Sequence, residues 1–254
     1  MIRIIMHGCN GAMGQVISRL AADMEQVEIV AGIDPDDRVV FGYPVFQSLE
    51  TCGVEADVVV DFASAKAVDH LLEYCGEKGL PLVLCTTGLS EQQAAQVKKT
   101  AEKTAVLRSA NMSLGINTLL KLLQDAAKVL AGAGFDVEIV EKHHNRKVDA
   151  PSGTALALAD SINEAMGHAY HYQYDRSLNQ ARRDPHEIGI QAVRGGTIVG
   201  EHEVIFAGQD EVVTFSHTAY SKAVFAKGAL EAARFLAGKK PGLYTMADVI
   251  ASAT

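Results

Sequence analysis

The chain has 254 residues, enough for two modest domains. It is 48% hydrophobic and 21% charged, which excludes a disordered or low-complexity chain and fits a globular protein with a real core. The net charge of −8 argues against a general nucleic-acid surface, and no apolar run approaches membrane-spanning length. Cys9, Cys52, Cys75 and Cys85 form no CxxC pair and point to reduced thiols in a cytoplasmic protein. A strand at the very start leaves no room for a signal peptide.

Ile2-Arg3-Ile4-Ile5-Met6 is that strand. It runs into Gly8-Cys9-Asn10-Gly11-Ala12-Met13-Gly14, after which Val16, Ile17, Leu20, Ala21 and Met24 recur at helical spacing. Strand, glycine-rich turn and helix are the context of a dinucleotide fingerprint. Gly8 would permit the tight turn, Gly11 the approach of a pyrophosphate, and Gly14 close helix–strand packing. The spacing is G-x-x-G-x-x-G, not the commoner G-x-G-x-x-G, so a glycine-rich turn without a ligand is the competing reading. The next strand, Val27–Ile33, ends at Asp34, twenty positions after Gly14, where an acid would accept hydrogen bonds from an adenosine ribose. The plain alternative is a turn residue before Pro35. Asp36 and Asp37 follow, with Arg38 the nearby cation. A 2′-phosphate would meet three carboxylates here, so NADH is expected to be preferred over NADPH.

Strand and helix continue to alternate. Asp57-Val58-Val59-Val60 is a buried strand that ends in Asp61-Phe62-Ala63, and a helix from Ala63 stops at Gly79. Leu80–Cys85 is a strand that ends in Thr86-Thr87-Gly88, and Ser90 caps the helix from Glu91. Thr104–Arg108 is a strand that ends in Ser109-Ala110-Asn111-Met112. Such alternation predicts a Rossmann-type, doubly wound parallel sheet with ligands beyond its carboxyl ends. These strand ends would converge there, although each alone could be a turn or cap.

Near residue 113 the pattern changes. Gly115–Val129 is an amphipathic helix and Phe135–Val140 alternates like a half-buried strand. Residues 167–187 read as a long polar loop. Ile188–Val193, Thr197–Phe206 and Glu211–His217 read as strands with glycine turns between them. They predict an inserted α+β domain with a largely antiparallel sheet, and the helix Lys222–Leu236 returns to the first domain. The expected division is 1–113 plus 223–254 for dinucleotide binding, and 114–222 for substrate binding and oligomerisation.

Within the insert, Glu141 to Thr154 reads E-K-H-H-N-R-K-V-D-A-P-S-G-T. The histidines end a strand, and Ser152-Gly153-Thr154 begin a helix over Ala155–Asp160. A helix start attracts anions, and residues 142–147 concentrate positive charge in an acidic chain. The pattern predicts a pocket for a small, multiply negative substrate, with histidines able to exchange protons near neutral pH. Surface histidines and a simple helix cap are the plain alternatives. Adjacent strand residues face opposite ways and carboxylate or thiol partners are missing, so no metal is expected.

The chain resembles the dihydrodipicolinate reductase family over essentially its full length. The run from Glu141 to Ala155 fits the family's E-x-H-H-x-x-K-x-D-x-P-S-G-T-A signature at every fixed position. Gly8–Gly14, Thr86-Thr87-Gly88 and Arg194 to His202 also fit, while Met112 stands where the family often has Phe. The resemblance implies reduction of a cyclic dicarboxylate imine by NADH or NADPH, in the diaminopimelate–lysine route. It implies His143 as proton donor and acceptor and Lys147 as proton donor. It implies His144, Lys147, Gly153 and Thr154 as carboxylate ligands. It implies cofactor contacts at Gly8–Gly14, Asp34, Cys85, Thr86, Thr87, Ser109, Ala110, Asn111 and Met112, and a homotetramer. Another two-domain Rossmann dehydrogenase acting on a semialdehyde, or a non-catalytic dinucleotide sensor, are the alternatives.

Overall fold

The computed structural model describes residues 1–109, 111–177 and 181–252. They form two compact units, Met1–Leu114 with Lys222–Thr254, and Gly115–Ser221.

The first unit holds β1 (Ile2–His7), α1 (Ala12–Ala22), β2 (Val27–Ile33), β3 (Val45–Phe46), β4 (Val58–Asp61), α2 (Val68–Lys78), β5 (Leu82–Leu84), α3 (Glu91–Ala101) and β6 (Ala105–Arg108). The chain then passes through α4 (Leu114–Leu130), β7 (Asp136–His143), α5 (Gly153–Ala165), β8 (His171–Gln173), β9 (Glu187–Arg194), β10 (Gly200–Ala207) and β11 (Val212–Ala219). It ends with α6 (Ala223–Leu236), β12 (Gly242–Tyr244) and α7 (Met246–Ala251), which belong to the first unit.

The expected doubly wound sheet is present. Its order is β12-β6-β5-β4-β1-β2-β3, every pairing parallel, and the order reverses between β1 and β4. Val58, Val59 and Val60 are fully buried, as a strand covered on both faces requires. One core layer joins Ile4, Met6, Val60 and Leu107 to α6; the other joins Ile5, Val59, Leu82 and Leu84 to Leu71 and Leu72 of α2. Gly79 ends α2 in the left-handed conformation, and Ser90 with Gln93 forms a capping box on α3. β3, β12 and α7 were not anticipated. Two- and three-residue strands at the sheet's edges carry too little alternation to be seen.

The second sheet has the order β11-β10-β7-β9-β8. It is mixed, not largely antiparallel: β10 runs antiparallel to β11 and β7, whereas β9 runs parallel to β7 and β8. Two returns explain this: α5 carries the chain back between β7 and β8, and the connection from β8 carries it back again before β9. The expected loop over 167–187 contains β8, an edge strand of three residues. Val137, Ile139, Val204 and Phe206 pack beneath Leu119 and Leu123 of α4 and Leu158 and Ile162 of α5. Each such side chain contributes about 1.5–3 kcal/mol by leaving water.

The fingerprint glycines differ in what the fold demands of them. A Cβ on Gly14 would stand 2.2 Å from the Gly8 carbonyl oxygen, a backbone atom that cannot yield. One on Gly11 would meet that oxygen at 3.3 Å. Gly14→Ala is therefore expected to destabilise the first unit by about 3 kcal/mol in urea unfolding, from overpacking. Gly11→Ala is expected to cost less than about 1 kcal/mol, as at a helix N-cap.

Candidate active site

The sequence-predicted site residues fall into two groups, one in each unit.

In the first unit a cavity of about 410 Å³ opens at the carboxyl ends of β1, β2 and β4. Gly8, Gly11 and Asp34 line it, with His7, Leu49, Ala63 and Leu71. Gly8 has φ +81°, and a side chain there would strike the Phe62 carbonyl oxygen at 2.9 Å. Gly11 is the N-cap of α1 and no side chain caps that helix, which suits the approach of an anion. Asp34 accepts the backbone N–H of Asn10 (3.0 Å) and of Asp36 (3.1 Å), so the glycine turn and the acid form one braced unit. Arg38 pairs with Asp36 in a solvent-exposed contact. A larger hollow, about 740 Å³, lies between α2 and α3 and is walled by helix-surface side chains such as Glu73, Glu77 and Lys99. It does not adjoin the strand ends, so the smaller cavity is the stronger candidate.

Several predicted cofactor residues turn their side chains elsewhere. Cys9 and Cys85 are core residues, and burial raises both thiols, that of Cys9 to about 11 with help from Asp34. The Thr86 hydroxyl donates to Asp61 at 2.6 Å. Met112 is buried, with its carbonyl against Gly228 of α6. Ser109 donates its hydroxyl to the Asn111 carbonyl, and the Asn111 side chain accepts the Ser113 N–H. None of these residues lines the cavity, which holds Gly8, Gly11 and Asp34 of the predicted cofactor contacts. Ala12 and Thr87 are exposed and Met13 is half-buried. Ala110 lies outside the described residues.

In the second unit the geometry centres on Glu141, which is fully buried. Its carboxylate takes the His143 Nδ1 proton at 2.6 Å, a bidentate pair from Arg194 at 2.6 and 2.7 Å, and the Ser152 backbone N–H at 2.9 Å. Burial pushes the Glu141 carboxyl up, but the bonds from Arg194, His143 and Ser152 outweigh it and hold the group below the ordinary carboxylate range. With Nδ1 bonded to the Glu141 carboxylate, Nε2 is the ring position left to exchange a proton. The absent side chain of Gly200 keeps space beside that nitrogen, since a Cβ would sit 3.1 Å from it. Ser152 caps α5 by accepting the Ala155 N–H, and its hydroxyl also meets His202 Nε2 at 3.0 Å. The His202 ring stands edge-on to His143, 5.1 Å between centroids.

Lys147 pairs with Asp149 at 2.8 Å and holds that carboxyl below its usual range. The Asp149 carbonyl accepts from Arg194. His144 is half-buried and accepts the Lys147 N–H through its carbonyl at 3.1 Å. Gly153 is exposed at the start of α5, and Thr154 beside it is half-buried. The expected cluster of positive charge is smaller than read. Lys142 lies on the other face of β7, paired with Glu201 and Glu203, because strand residues alternate.

Glu141, Arg194 and His202 were missed as site members. The same alternation could have found Glu141, two residues from His143 and on its face. Arg194 and His202 were visible as a motif, but pairing of β9 and β10 with β7 is what carries them to the histidine.

Residues 2–112 match the family described as "Dihydrodipicolinate reductase, N-terminus", and residues 115–250 match "Dihydrodipicolinate reductase, C-terminus". The chain belongs to the dihydrodipicolinate reductase family. Among similar relatives, the 4-hydroxy-tetrahydrodipicolinate reductase of Caldanaerobacter subterraneus subsp. tengcongensis is 52% identical over 250 residues, 98% of each chain. That of Clostridium tetani is 48% identical over 246 residues, 97% of this chain and 96% of the other. A solved dihydrodipicolinate reductase from Paenisporosarcina sp. TG-14, bound to dipicolinate, aligns with TM-score 0.81 and 27% identity, over 96% of this chain and 97% of that one. An amine dehydrogenase from Mycobacterium smegmatis, 14% identical with TM-score 0.59 over 97% of this chain and 95% of that one, shares the fold.

This family member carries a built-in acid sensitivity. Burial, and then the nearby His143, push His202 down to about 4. Between about pH 4 and pH 6.5 the unfolded chain binds a proton at this residue that the folded chain does not, so stability rises with pH. His202→Asn is expected to remove on the order of 3 kcal/mol of pH dependence from that window, read from urea midpoints at several pH values.

Proposed function

We propose that the protein reduces 4-hydroxy-tetrahydrodipicolinate, a cyclic dicarboxylate imine of the diaminopimelate–lysine route, with hydride from NADH or NADPH. The observation that carries this reading is the Glu141–His143 pair beside Lys147 and the α5 N-terminus. It gives one proton-exchanging nitrogen, one cation and one anion-attracting helix start within a single fourteen-residue run. Family membership over the full chain supports the same activity.

The cavity's lining, with the glycine turn and Asp34 together, suits the adenosine diphosphate part of a dinucleotide. Gly8 and Gly11 would take the diphosphate on bare backbone, and Asp34 the adenosine ribose. Cys85 to Thr87 follow β5, and Ser109, Asn111 and Met112 follow β6, at the carboxyl end of the same sheet. Bound there, the reduced nicotinamide supplies the hydride. Lys147 and the backbone at Gly153 and Thr154 hold the substrate carboxylates, with His144 beside them. Lys147 exchanges Asp149 for a substrate carboxylate as it does so. His143, with its tautomer fixed by Glu141, passes a proton through Nε2, and Lys147 or His143 meets the charge that hydride addition leaves on the ring nitrogen. We infer an NADH preference from the acids around Asp34 and the capture of Arg38 by Asp36. We also infer a cytoplasmic homotetramer built through the second unit. The outer face of its sheet exposes Val193 and Val212, which supports that assembly.

The activity is tested by following oxidation of reduced nicotinamide while a synthase forms the substrate from pyruvate and aspartate semialdehyde. Rapid oxidation that requires every coupling component is expected; none, from protein that binds NADH, would turn the reading to another dehydrogenase or a sensor. Lys147→Ala is expected to lower kcat by about 100-fold or more, the range of general acid–base and charge-stabilising groups, with the KM for NADH little changed. Asp34→Ala is expected to raise the KM for NADH about tenfold, equivalent to one lost charged hydrogen bond, at a nearly constant KM for the dicarboxylate.

A further inference from the structure

A second buried histidine–carboxylate pair, His7 and Asp61, lies in the wall of the nucleotide cavity and has no part in the chemistry above. His7 closes β1 on the face that Ile5 begins, where an apolar residue would satisfy the strand pattern. Its ring keeps 11% of its surface accessible, while Asp61 has none. Nδ1 of His7 is 2.6 Å from Asp61 Oδ1. The same carboxyl accepts the Ala63 N–H at Oδ1 (3.2 Å) and the Thr86 hydroxyl at Oδ2 (2.6 Å). Both oxygens are thus acceptors, and the network assigns the ring proton to Nδ1. With that tautomer Nε2 is the ring's acceptor, and among the described residues it makes no hydrogen bond.

Burying two ionisable groups is costly, and a well-packed apolar pair would hold β1 and β4 together at least as well. The pair makes sense if the cavity needs a fixed polar point. We propose that His7 is a further dinucleotide-binding residue, whose Nε2 accepts a hydrogen bond from a ribose hydroxyl and whose orientation Asp61 fixes. An acceptor repels phosphate, so the diphosphate is not its partner. His7 immediately precedes Gly8 of the phosphate-binding turn, and the groups that flank a diphosphate in a dinucleotide are its riboses. Thr86 also gains a definite role: its hydroxyl proton belongs to Asp61, so it tightens this clamp across the ends of β1, β4 and β5.

The proposal rests on the cavity being the nucleotide site, and the test separates the two. NADH binding to the full-length protein is measured by calorimetry for the unaltered chain and for His7→Ala, with ADP as a second ligand. A loss of about tenfold for NADH is expected, the value of one hydrogen bond to a ribose in a partly desolvated site. An equal loss for ADP assigns the adenosine ribose, and a loss for NADH alone assigns the nicotinamide ribose; either supports the proposal. Nitrogen-15 spectra of the unaltered protein give a readout that a purely structural histidine would not move: the His7 Nε2 signal should shift when NADH is added. It keeps the proposal testable should His7→Ala fail to fold. NADH affinity within twofold of the unaltered protein, or an unmoved Nε2 signal at saturation, would overturn it. No NADH binding by the unaltered protein would overturn the cavity assignment, and this proposal with it.

Discussion

The Glu141 carboxylate is the constraint on which the second unit's site depends. It is sealed from water and joins three elements: β7 through His143, β9 through Arg194 and the start of α5 through Ser152. A lone carboxylate buried there would cost several kcal/mol, so it persists because Arg194 cancels its charge with two bonds and two further donors fill its lone pairs. The consequences are local and chemical. His143 is held in one tautomer, Ser152 is drawn in so that α5 starts beside the histidine, and the Arg194 turn between β9 and β10 closes over them. Sequence alternation puts Glu141 and His143 on one face; sheet pairing brings the rest.

The same arrangement explains how an acidic chain can hold a dianion. Its cations are not massed. Lys142 serves the far face of the sheet and Arg194 is consumed by Glu141. Lys147 is paired with Asp149, an exposed carboxylate. A substrate carboxylate that takes Lys147 replaces one oxygen acceptor with another, so little net electrostatic energy is lost on entry, and Asp149 returns to water. A bare lysine would have bound any anion; a paired one favours a ligand whose second carboxylate gains from the α5 N-terminus as well.

Much of this was legible in the sequence where periodicity is long and punctuation strong. The β1–glycine turn–α1 unit, the Gly79 stop, the Ser90 cap and the position of His143 at a strand end all follow from local patterns. What was illegible depends on pairing or on side-chain direction. β3 and β12 are too short to alternate and exist because a sheet edge accepts them. The parallel course of β9 beside β7 is a property of the two returns that flank β8, invisible in β9 itself. Cys9, Cys85 and Thr86 lie in strand-end turns, yet the cysteine side chains belong to the core and the Thr86 hydroxyl donates to Asp61, directions that a sequence does not show.

Glycine placement separates what the fold needs from what a ligand needs. Gly14 is required by packing, since any side chain would collide with the turn. Gly8 is required by its left-handed backbone and by Phe62. Gly11 is an intermediate case, since a side chain there would press on the Gly8 carbonyl oxygen at 3.3 Å although its backbone is ordinary. Gly153 is required by neither, with nothing within 4 Å and no positive φ. Glycine costs conformational entropy, so its use where alanine would fit calls for another reason. Both residues are exposed at the start of a helix whose first turn holds no acid, one at the cavity of the first unit and one beside Glu141's cluster in the second. Bare backbone at a positive helix end is what an incoming phosphate or carboxylate requires. Under the proposed function, these two helix starts are where a diphosphate and a dicarboxylate would gain from the absence of a side chain.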